Sequence, residues 1–130
     1  MPHIIIEHSA NLAEVHDIQS LVDAVHAAAL DDGLPELDGL RTRAAERRHY
    51  RIADGDLTHA FVAVVARIGP GRSDDEIQSF LTRLIDTVDA ELAPIADRHA
   101  VALSAEIQFI DASVRINRNH VRTRLQRGTS

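Results

Sequence analysis

The stretch from Leu57 to Ile110 constrains this chain most, because its order of residues allows little besides strand, helix, strand. Leu57 to Ile68 carries Phe61-Val62-Ala63-Val64-Val65, whose length and β-branched content mark a buried strand, and Gly69-Pro70-Gly71 stops it. Ser73 follows as a helix N-cap with Glu76 three residues on, the pattern of a capping box, while Asp74 and Asp75 complement the positive end of the helix dipole. Apolar residues then recur at Ile77, Phe80, Leu81, Leu84, Ile85, Val88, Leu92 and Ile95, one face of a helix. Val101 to Ile110 closes the unit as a strand with Val101, Leu103, Ala105, Ile107 and Phe109 on one side.

The first half repeats this order. Pro2 to His8 is a short apolar strand, and Leu12, Val15, Ile18, Leu21, Val22, Val25, Ala28 and Ala29 predict one helix beginning at Leu12. That helix ends near Gly33, which can take the left-handed C-terminal conformation, and Pro35 forbids continuation. Leu40 to Ala45 alternates as a second strand, and a polar loop around Asp54-Gly55-Asp56 separates the halves. The expected fold is α+β: a tandem βαβ repeat, about 1–50 and 57–110, giving a four-stranded mixed sheet with two helices on one face. The other sheet face keeps apolar positions such as Ile5 and Val64, so a homo-oligomer is expected. Residues 111–130 form a tail rich in Arg and Asn, an arm or short helix that either packs on a neighbouring subunit or frays.

Composition removes several classes of function. The chain has no cysteine, which excludes thiol catalysis, thiolate metal sites and disulfides. Its formal net charge of -6 repels nucleic acid, and 3% aromatic residues are too few for base-stacking platforms. Ile4-Ile5-Ile6 is too short to span a bilayer, and a cytoplasmic protein without a membrane partner is the expectation. The eight histidines show no pair with the four-residue helical spacing of a zinc motif, so no metal site is expected. All 14 basic residues are arginine, whose planar fork grips carboxylates through paired hydrogen bonds.

The residues suited to chemistry lie at the strand ends. Removal of Met1 by methionine aminopeptidase would leave Pro2 with a free secondary amine. An α-amino group titrates near ~8, and apolar surroundings or nearby guanidinium groups lower that value, so the amine can act as a base at neutral pH. Arg41 and Arg43, two apart on a strand, leave the same face, and Arg72 sits at the free N–H groups that open the second helix. If strands one and two are parallel and strand three runs antiparallel beside strand one, Pro2, Arg41 with Arg43, and Arg72 reach one sheet edge, and one amine and three guanidinium groups converge. His49 and His59 are surface or secondary site residues, and Glu7 and Glu106 are candidate buried partners of arginine.

Several segments carry a family resemblance: Met1-Pro2-His3-x-Ile5-x-Glu7-x-Ser9-x-Asn11, Gly39-Leu40-Arg41-Thr42-Arg43, Ala53-Asp54-Gly55, His59-Ala60-Phe61-Val62, Ile68-Gly69-Pro70-Gly71-Arg72-Ser73 and Ala102-Leu103-Ser104-Ala105-Glu106-Ile107. Together they resemble 5-carboxymethyl-2-hydroxymuconate isomerase, of the tautomerase superfamily that includes oxalocrotonate tautomerase and macrophage migration inhibitory factor. The resemblance spans Met1 to about Ile107. It implies a homotrimer of βαβ-repeat subunits, Pro2 as catalytic acid/base, and Arg41, Arg43 and Arg72 as groups that bind a di- or tricarboxylate substrate. It also implies a place in the breakdown of homoprotocatechuate, with proton transfer between carbon atoms and no cofactor. Within the superfamily the same amine supports keto-enol tautomerism, hydration, dehalogenation and decarboxylation, and a trimeric scaffold without chemistry is the reading from another class.

Overall fold

The computed structural model describes residues 2–128, so removal of Met1 and the last two tail residues lie outside it. Strands β1 (His3–Ser9), β2 (Arg41–Arg47), β3 (Ala60–Ile68) and β4 (Val101–Phe109) form one sheet in the order β2-β1-β3-β4. β1 runs parallel to β2 and antiparallel to β3, and β3 runs parallel to β4. Helices α1 (Ile18–Asp32) and α2 (Asp74–Leu92) connect the parallel pairs, so the chain is the expected tandem βαβ repeat with a mixed sheet. A third helix, α3 (His120–Gly128), lies in the tail.

The core is built between the helices and one sheet face. Ile4 and Ile6 of β1, with Val62, Val64 and Ala66 of β3, pack against Leu21, Val25 and Ala29 of α1 and Phe80, Leu84 and Val88 of α2. Val64 was expected on the open face and is instead buried. It pairs with Ile6, so the period-two alternation sends it toward the helices, and Val65, opposite Ile5, takes the outer position.

α1 is shorter than the periodicity predicts. Ala10–Glu14 forms a 3₁₀ turn, and Asp17 caps α1 by accepting from the Gln19 N–H at 3.0 Å. The spacing Leu12, Val15, Ile18 is three residues, which suits a 3₁₀ turn as well as an α-helical face, so the pattern alone runs the two together. Gly33 ends α1 at φ 83°, as the sequence requires. At α2 the capping box forms in both directions, with the Glu76 N–H donating to Ser73 Oγ at 3.1 Å and the Ser73 N–H donating to Glu76 Oε1 at 3.2 Å. Ile95 falls beyond α2 in a 3₁₀ turn, because Pro94 has no N–H to continue the helical ladder.

β3 starts three residues later than expected. Asn11 Nδ2 donates to the carbonyls of Leu57 and His59, at 3.2 and 2.7 Å, and the Thr58 N–H donates to Asp56 Oδ1 at 2.9 Å, so these groups bond side chains rather than a strand. Buried Ser9 completes the staple: its hydroxyl donates to Asn11 Oδ1 and accepts from the Phe61 N–H at 3.0 Å.

Candidate active site

β1 begins where β3 ends, so the residues before β1 and after β3 share one sheet edge. Pro2 stands there, its carbonyl accepting from the Arg41 N–H at 3.3 Å. Beyond β3, Gly69-Pro70-Gly71 turns the chain into α2, with Gly71 at φ 115°, a conformation that side chains other than glycine's strain to adopt. That turn brings Arg72 against the α1–β2 loop, where its Nη2 donates to the Leu34 carbonyl at 2.8 Å. Pro2 and Arg72 line the same cavity of about 340 Å³, with Leu34, Pro35, Ile68 and Pro70 as apolar walls. One bond to Leu34 leaves most of the five guanidinium N–H donors of Arg72 free for a ligand.

The tail closes one side of this cavity. Asn119 Nδ2 donates to the Asp38 carbonyl at 2.7 Å, and Arg122 Nε donates to Asp38 Oδ2 at 2.9 Å, so α3 is moored to the loop before β2. Arg122 also reaches Glu36 at 3.5 Å, and both line the cavity with Arg72. The Asp38 carboxylate raises the Arg122 pKa further, so the group stays charged. Arg122 escaped the sequence reading; the arginine-rich tail was visible, but its return to the Pro2 edge is a long-range contact with no local signal.

Arg41 and Arg43 take the other face of the same edge. In register with His3 and Ile5, they share the outer sheet face with His3. Arg41 Nη1 lies 3.1 Å from His3 Nε2, Arg43 Nη1 lies 3.1 Å from His3 Nδ1, and Arg115 Nη2 from the tail lies 3.2 Å from Nε2. Partial burial, with Arg41, Arg43, Arg67 and Arg115 around it, lowers the His3 pKa from 6.5 to about 4, so the ring is neutral at pH 7. The amine and three arginines expected to converge are therefore divided: Pro2 with Arg72 in the cavity, Arg41 with Arg43 around His3.

The other candidates are structural or remote. His59 Nε2 contacts Asp54 Oδ1 at 2.8 Å and braces the Asp54-Gly55-Asp56 loop, at the opposite end of the sheet from Pro2. His49 is exposed. Glu7 pairs with Arg47 at 3.0 Å but is solvent-accessible, and Glu106 is exposed with no ion pair among the described residues. Neither is the buried partner expected.

The sequence model of the 5-carboxymethyl-2-hydroxymuconate isomerase family matches residues 2–125. The chain belongs to this family. It is 30% identical over 121 residues to 5-carboxymethyl-2-hydroxymuconate Delta-isomerase of Escherichia coli, covering 93% of this chain and 96% of that protein. The solved 5-carboxymethyl-2-hydroxymuconate isomerase of Deinococcus radiodurans R1 superposes with a TM-score of 0.85 at 26% identity, over 95% of this chain and 93% of that one. A fused 4-OT solved as a symmetric trimer shares the fold alone, with a TM-score of 0.63 at 15% identity over 88% and 94% of the two chains. The motifs that resemble the isomerase family divide by role: Ser9, Asn11, Asp54 and Ser73 hold turns and strand ends, whereas Pro2, His3, Arg41 and Arg72 gather at one edge.

Proposed function

We propose that this protein is an isomerase that moves a proton between carbon atoms of a carboxylated 2-hydroxymuconate, with 5-carboxymethyl-2-hydroxymuconate as substrate and the amine of Pro2 as acid/base. The observation that carries the reading is the cavity in which Pro2 and Arg72 stand together among apolar walls. The amine, freed by loss of Met1, takes a proton from one carbon and returns it at another, so the product is an isomer and no atoms are gained or lost. Apolar walls and guanidinium groups both disfavour the charged amine, and each unit of lowered pKa corresponds to about 1.4 kcal/mol. Arg72 binds a carboxylate and stabilises the oxygen that gains negative charge in the dienolate. Arg41 and Arg43 bind carboxylate on the outer side of the same edge.

In this reading the working enzyme is a cytoplasmic homotrimer acting in homoprotocatechuate breakdown, with residues 2–110 as the catalytic domain and 111–130 as a tail that also meets a neighbour. The outer sheet face, with Ile5, Ala63 and Val65, supports an oligomer. So do the tail side chains Val114 and Ile116, which are 82% and 90% exposed in the single subunit. No described helix is long and apolar enough to cross a membrane.

The test is an ultraviolet isomerisation assay on untagged protein whose intact mass has been measured, with light scattering on the same sample. Protein short by one methionine, trimeric and active is the expected result. Pro2→Ala then lowers turnover on the order of a hundredfold while leaving the fold intact. Unchanged turnover would remove Pro2 from the mechanism, and a monomer would remove the oligomer.

A further inference from the structure

The arginines around His3 are poorly satisfied by the protein itself. A neutral imidazole offers a lone pair at only one ring nitrogen, yet guanidinium donors face both. At least one of those donors therefore points at an N–H rather than an acceptor, and two do when the lone pair is on Nδ1. Among the described residues, none of Arg41, Arg43, Arg67 and Arg115 forms an ion pair with a carboxylate. Arg67 and Arg41 flank His3 from the two neighbouring strands, one on each side. In a chain with net charge -6, four such cations at one place call for an anion with several acceptor lone pairs.

The cluster is also connected to the Pro2 cavity. Arg115 lines a second cavity, about 190 Å³, with Ile110, Ala112 and Asn117, and its remaining wall is Gly69-Pro70. The same two residues wall the Pro2 cavity, so the two spaces share this turn. Asn117 Oδ1, in turn, accepts from Arg41 at 3.4 Å. An extended polyanion with a carboxylate at Arg72 thus has a second cationic anchor along its length.

We propose that Arg67 and the tail residue Arg115 extend the carboxylate grip of Arg41 and Arg43 around His3, and that these two set the preference for substrates bearing an additional carboxylate. This rests on the isomerase reading for its substrate, and on the cluster for the chemistry of the subsite. His3 serves as a neutral acceptor that aligns the arginines without adding charge, and the tail becomes part of the substrate-binding surface.

The experiment compares wild type with Arg115→Gln and Arg67→Gln on 5-carboxymethyl-2-hydroxymuconate, which has three carboxylates, and on 2-hydroxymuconate, which has two. Each variant is expected to raise KM for the tricarboxylate about tenfold, near 1.4 kcal/mol, with kcat within about twofold and KM for the dicarboxylate unchanged. Arg115→Lys should recover part of the loss, since charge returns without the fork. Calorimetric binding of propane-1,2,3-tricarboxylate and glutarate reads the same preference without turnover. If wild type turns over neither muconate but loses its preference for the tricarboxylate on Arg115→Gln, the reaction assignment fails and the subsite stands. Equal changes on both substrates, or none, overturn the subsite. So does dissociation of the oligomer in the variants, which would mean that a neighbouring subunit's carboxylates neutralise these arginines.

Discussion

Replacing His3 with Gln keeps a hydrogen-bond acceptor beside the arginines and removes the titrating ring, so it isolates the cost of a proton at this position. The native pKa of about 4 lies below the ordinary 6.5 because partial burial comes first and four guanidinium charges add to it. The unfolded chain therefore binds a proton at His3 that the folded one refuses. The corresponding stability is fully present above pH 6.5 and is lost as pH falls toward 4. A shift from 6.5 to about 4 is worth at most about 3.4 kcal/mol, and solvent screening at this partly exposed ring reduces it to about 1–2 kcal/mol. Urea unfolding of both proteins at pH 7.5, 6.5, 5.5 and 4.5, at one protein concentration, gives the difference directly. Carboxylates titrate alike in the two and cancel. Wild type should lose about 1–2 kcal/mol relative to His3→Gln between pH 7.5 and 4.5. A difference that stays constant across this range, or a His3 ring resonance that titrates near 6.5, would refute the cationic environment described here.

With Arg72 gripping a substrate carboxylate as proposed, Arg72→Ala should remove charge-assisted bonds of about 1.5–3 kcal/mol and raise KM in the isomerisation assay about tenfold or more; an unchanged KM would put the carboxylate elsewhere. Gly71→Ala meets no neighbouring atom, yet at φ 115° it should cost about 1–3 kcal/mol in denaturant unfolding and raise KM by shifting Arg72. Phe80, 1% exposed in the centre of the core, should cost about 3–5 kcal/mol as Phe80→Ala by the same unfolding measurement, and a loss below 1 kcal/mol would contradict its packing.

How far the sequence could be read depended on the range of the forces involved. Ser73 and Glu76 announced the start of α2, and Gly33 the end of α1, because caps and left-handed turns are settled within a few residues. The Ala10–Glu14 turn carries the same three-residue apolar spacing as a helical face, so the pattern does not separate the two geometries. The late start of β3 was invisible because Asn11, 46 and 48 residues away, takes the carbonyls of Leu57 and His59.

The sequence by itself determined the two βαβ units and most of the α2 core face, and it offered residues whose chemistry suits an uncharged base or a grip on carboxylate. Local spacing and side-chain chemistry are enough for that. Only the tertiary structure decided which of these residues meet. Pro2 and Arg72 share a cavity because β3 lies antiparallel to β1, whereas strand parity sends Arg41 and Arg43 to His3. The mooring of α3 at Asp38 brings in Arg122, and Arg115 earlier in the tail joins His3. These pairings join residues up to 112 positions apart, and at such separations contact follows from the packing of the whole sheet rather than from any neighbour in the chain.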